Sequence, residues 1–178
     1  MPEGHSIVAD SGSETERVAQ FIDYFLQPLA CTHPAYVKDT YHFIETARGQ
    51  VIPQNAFLVT GDVTALYTNM DIDLTISIIH EIFAEFPDSR RPDKQLLRLL
   101  ELTLRNNDFE FAGRIFSSNL WHSDMGKRYA PSLANIFLRK FDKKAAFGFF
   151  IKLYYAFWTT SISFGQEPAS NLRNMNFT

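Results

Sequence analysis

Cysteine is nearly missing from this chain: Cys31 is the only one among 178 residues. A lone thiol closes no internal disulfide and builds no cysteine zinc cluster, which points to a reducing intracellular compartment, nuclear or cytoplasmic. Long apolar runs are missing too. No stretch approaches the roughly 18 residues of a membrane span, and Met1-Pro2-Glu3-Gly4-His5 has no basic start ahead of an apolar core, so neither a membrane partner nor secretion is expected. Positive charge is not in excess. With 17 Lys and Arg against 20 Asp and Glu, the net charge is −3, which argues against a free-standing nucleic-acid binder. A glycine-rich phosphate loop is absent, and His5, His33, His42, His80 and His122 show no metal-ligand spacing, so zinc and small-molecule cofactors are not expected.

What the chain does have is apolar bulk: 46% hydrophobic residues, including 17 Phe, enough for one domain with its own core. Its charge is uneven, because Arg114, Lys127, Arg128, Arg139, Lys140, Lys143, Lys144 and Lys152 face only Asp124 and Asp142 in the same stretch. Helical periodicity places a helix from a Ser13 cap to Pro28, a second from near Pro34 to Gly49, a third opened by Asp71 or Asp73 and closed at Phe86-Pro87, a fourth capped by Asp93, and a fifth from Pro131 towards Ala146. Between them, Phe57–Val63 reads as a strand and Phe109–Phe116 as a tight hairpin. The fold class is therefore α+β.

The residues that carry chemistry begin with Asp62, directly behind an apolar β-type run and five residues before Tyr67. A carboxylate at the tip of a buried strand is held rigidly and offers oxygen to Mg²⁺; the alternative is an Asp that caps a turn. Asp62 is followed by Leu66-Tyr67-Thr68-Asn69, then Asn107-Asp108-Phe109-Glu110-Phe111, then Met125-Gly126-Lys127-Arg128-Tyr129-Ala130-Pro131-Ser132-Leu133-Ala134-Asn135. In that order and spacing the chain resembles the reverse transcriptases of Penelope-like retroelements, over about Glu3 to Tyr155. Ile7 to Glu14 and Pro34 to Thr40 resemble that family's fingers-to-palm region.

The resemblance implies a partial right-hand polymerase palm, an antiparallel sheet with packed helices, plus a remnant of the fingers. The implied layout is fingers remnant and lead-in helices over 1–50, palm core over 51–156 and a tail over 157–178. It implies nucleotidyl transfer on an RNA or DNA template-primer with Mg²⁺, Asp62 being the catalytic carboxylate and metal ligand. Tyr67 takes the place of the ring that excludes a 2′-hydroxyl, against the alternative of a core tyrosine. Gly126 takes the place of the glycine that lets backbone approach the nucleotide, against that of an ordinary turn glycine. Lys127 and Arg128 are implied to face the phosphate backbone, or else form a solvated charge pair; Arg139 to Lys144 read as a solvated face.

Departures from the family concentrate at two places. The family carries its second and third carboxylates in a Leu-Asp-Asp hairpin, where this chain reads Phe157-Trp158-Thr159-Thr160-Ser161-Ile162-Ser163-Phe164-Gly165. Regrouping codons by one base gives Leu from Phe157 into Trp158 and a forced Asp from Trp158 into Thr159. A second Asp is allowed next. One nucleotide lost near Ala156 explains the pattern and makes the tail an out-of-frame, poorly ordered segment. Between Ser117 and Ser123 a regrouping by two bases forces Gly from Trp121 into His122 and allows Leu-Gln-Ile-Cys-Gly-Thr-Ala overall, so that loop is expected to differ from its relatives. His5-Ser6 stands where the family tends to Arg-Pro, and histidine is too short to reproduce a guanidinium fork. The expectation is a truncated, catalytically dead reverse transcriptase core; the alternatives are a non-catalytic nucleic-acid-binding module and a translated pseudogene product.

Overall fold

The computed structural model describes residues 10–33, 35–51, 54, 56–63, 66–106, 108–111, 113–117, 126–146, 151–157 and 160–165. They form two compact units, each assembled from separated stretches. One takes the chain up to His33 and Thr64–Lys140, the other Pro34–Val63 and the chain from Phe141 onward.

In the first unit, helix α1 (Glu16–Ala30) buries Ala19, Ile22, Leu26, Leu29 and Ala30. Ser13 is not its cap: N-cap Thr15 makes no side-chain cap bond, and the Ser13 hydroxyl instead donates to Asp10 at 2.6 Å. Nor does Pro28 end it. The missing proline N–H weakens one turn, but buried Leu29 and Ala30 hold that turn to the core. Beyond the short helix α3 (Leu66–Asn69), Asp71 accepts the Leu74 amide at 2.7 Å and opens α4 (Ile72–Glu85), which buries Ile72, Thr75, Ile78, Ile79, Ile82 and Phe83. Its C-terminal end is closed from outside the helix, because the buried Arg91 guanidinium donates to the carbonyls of Phe83 (3.0 Å) and Phe86 (2.8 Å) and lies 4.1 Å over the Phe83 ring. Asp93, expected as a cap, is the first residue of α5 (Asp93–Arg105) and receives Arg91 Nε at 2.5 Å.

Strands β1 (Asp108–Phe111) and β2 (Arg114–Ser117) form the expected hairpin, whose turn places Gly113 at φ +73°, a conformation glycine adopts without cost. Helix α6 (Ala130–Ala146) starts with Pro131 in its first turn. Just before it, fully buried Tyr129 shares a 3.0 Å hydrogen bond with Thr103 of α5. That bond satisfies two hydroxyls inside the core.

In the second unit, Asp39 accepts the His42 amide at 2.8 Å and caps α2 (Thr40–Arg48). The sheet consists of β3 (Phe57–Asp62), β4 (Ile151–Phe157) and β5 (Thr160–Gly165), antiparallel, in the order β3-β5-β4. Thr160–Gly165 is the middle strand. Ile162 and Phe164 alternate with Ser161 and Ser163, a period of two that supports a strand whichever reading frame produced it. Residues 166–178 lie outside the described residues.

Candidate nucleotidyl-transfer site

Asp62 ends β3 inside the ladder rather than in a turn beyond it, and its Cα partner is Thr160, the first residue of β5. Thr160 also pairs with Phe157, the last residue of β4. Three strand ends thus meet at one rim of the sheet: Asp62, Phe157 and Thr160. Directly opposed residues in an antiparallel pair have Cα atoms about 4.5–5.5 Å apart. A carboxylate at position 160 would therefore start from a backbone position directly opposite that of Asp62. The chain supplies none there, because residues 151–165 contain no Asp or Glu. Among the described residues no group of three His, Cys, Asp or Glu side chains is placed to hold a metal. Two magnesium ions need several carboxylates for ligation and neutralisation, so the donor set present does not fit that pair.

The remaining expected site residues belong to the first unit. Tyr67 lies on α3, half-buried, and burial pushes its phenol above the ordinary tyrosine value because the phenolate would lose hydration. Gly126 sits at φ +142°, where a side chain is disfavoured, so glycine at this position has a backbone reason whatever else it does.

Lys127 is a largely buried cation. Its side chain is only 10% exposed, with Nζ 3.0 Å from Thr15 Oγ1 and 3.4 Å from Asp10 Oδ1. Burying an ammonium without a partner is costly, and Asp10, itself 8% exposed, supplies the countercharge. Arg128 is 66% exposed, and its Nε is 3.7 Å from Asp23, whose other oxygen accepts the Ser132 hydroxyl. Arg139 is likewise not on a solvated face. It donates to Thr32 (2.8 Å) and Glu85 (2.7 Å) and lies 5.2 Å from the centre of the Phe86 ring. Lys140 reaches Glu81 at 3.1 Å. The side chains of Lys143, Lys144 and Lys152 lie outside the described residues.

Sequence reasoning missed Asp10 as the anchor of Lys127. The available signal was the spacing Asp10, Ser13, Thr15 ahead of a helix, where both hydroxyls donate to one carboxylate oxygen.

No family model matches the chain, and no curated protein matches it. Solved structures do. Apo telomerase from Candida tropicalis truncated from its C-terminal domain superposes with a TM-score of 0.59 at 11% identity, over 92% of this chain and 36% of that one. Apo telomerase from Candida tropicalis gives 0.58 at 10%, over 92% and 32%. Telomerase from Candida albicans in complex with a fragment of telomeric RNA gives 0.58 at 12%, over 90% and 31%. The chain therefore shares the fold of a part of these enzymes and spans about a third of their length.

Proposed function

We propose that this chain is part of a reverse transcriptase of the Penelope-like kind, its sheet a polymerase palm, and that as encoded it does not perform nucleotidyl transfer. One observation carries the reading: the register that sets Asp62 opposite Thr160, at the rim where the displaced codons would have written consecutive aspartates. The likeness in fold to part of a telomerase supports it independently of sequence motifs. The ancestral partner is a template-primer of RNA or DNA, and the ancestral cofactor Mg²⁺. The lone cysteine, exposed and unpaired as Cys31, supports a reducing intracellular compartment.

What remains of the chemistry is scaffolding. Asp62 is fixed by the ladder at the sheet rim, and the Asp10–Lys127 pair ties the turn after Gly126 to the segment before α1. Arg128 is 66% exposed beside Asp23. Without facing carboxylates the charge that develops on the transferring group has no counterpart, and removing members of such a unit typically costs several orders of magnitude in rate.

Restoration is the direct test. Thr159→Asp combined with Thr160→Asp is expected to create Mn²⁺ binding, read by titration calorimetry, and Asp62→Ala in that background is expected to abolish it. Equal Mn²⁺ binding by the unaltered chain and the restored variant would overturn the assignment of this rim. Primer extension by the unaltered chain that survives Asp62→Ala would overturn the role of Asp62.

A further inference from the structure

We draw no further inference here: the strongest candidate, the buried Asp10–Lys127 cluster between the segment before α1 and the turn before α6, where Asp10 Oδ2 has no hydrogen-bond partner, carries none, because Ser13, Thr15 and Lys127 already engage that carboxylate through its other oxygen and nothing in the structure identifies a ligand for the one left over.

Discussion

At the scale of single residues, the cations sort into two populations that the sequence lists together. Lys127 and Arg139 are buried against Asp10 and Glu85 and belong to the scaffold, whereas Arg128 stands mostly exposed beside Asp23. Removing Lys127 leaves the Asp10 carboxylate buried without its counterion. Lys127→Ala is therefore expected to lower unfolding free energy by about 3 kcal/mol, and Asp10→Ala/Lys127→Ala by less than the sum of the single changes, measured by urea denaturation as a double-mutant cycle. Arg91→Ala strands the Phe83 and Phe86 carbonyls at the end of α4, at an expected cost of about 2–3 kcal/mol. Tyr67 gives a prediction in pH. Its folded phenol holds its proton to a higher pH than an unfolded one, so the resulting stability is complete below the ordinary tyrosine value and is lost as pH rises through the raised one. Ultraviolet difference titration should show a late-ionising phenol that disappears in Tyr67→Phe.

At the scale of elements, local chemistry explains most of what forms. Asp71 and Asp39 cap α4 and α2 with 2.7 and 2.8 Å bonds to the third residue onward, and replacing Asp71 by Ala should cost about 1 kcal/mol in a thermal melt. The Asp71 cap, the apolar stripe of α4, the Gly113 hairpin and Pro131 at the head of α6 were legible, because each depends on neighbours within a few residues, whereas Asp39 caps α2 at a position the expected helix from near Pro34 runs through. The boundaries that moved did so for tertiary reasons. Pro28 stays inside α1 because Leu29 and Ala30 are buried, and Leu74, apolar by type, stands 36% exposed because the stripe of α4 turns past it. The partners of Lys127 were not legible for the same reason: Asp10 lies 117 residues away along the chain.

At the scale of the whole molecule, Thr160–Gly165 occupies the centre of the three-stranded sheet. Among the described strands β3 pairs only with β5, and β4 pairs only with β5, so the segment Thr160–Gly165 is the sole partner of both. A strand without a ladder partner leaves its backbone groups to water and does not persist as a strand. Ending the chain at Phe157 is therefore expected to remove hydrogen-exchange protection from Phe57–Asp62 while leaving that of α4 and α5, whose packing lies in the other unit, close to its value in the full chain. Protection of Phe57–Asp62 that survives the truncation would show that β3 does not depend on β5. The same logic makes the proposed shift of reading frame compatible with a sheet. Strand formation requires alternation, which Ile162 and Phe164 between serines still provide, whereas metal binding requires carboxylates at fixed positions, which alternation cannot replace. Thr159→Asp and Thr160→Asp are therefore expected to alter metal affinity far more than they alter the amide protection of the sheet.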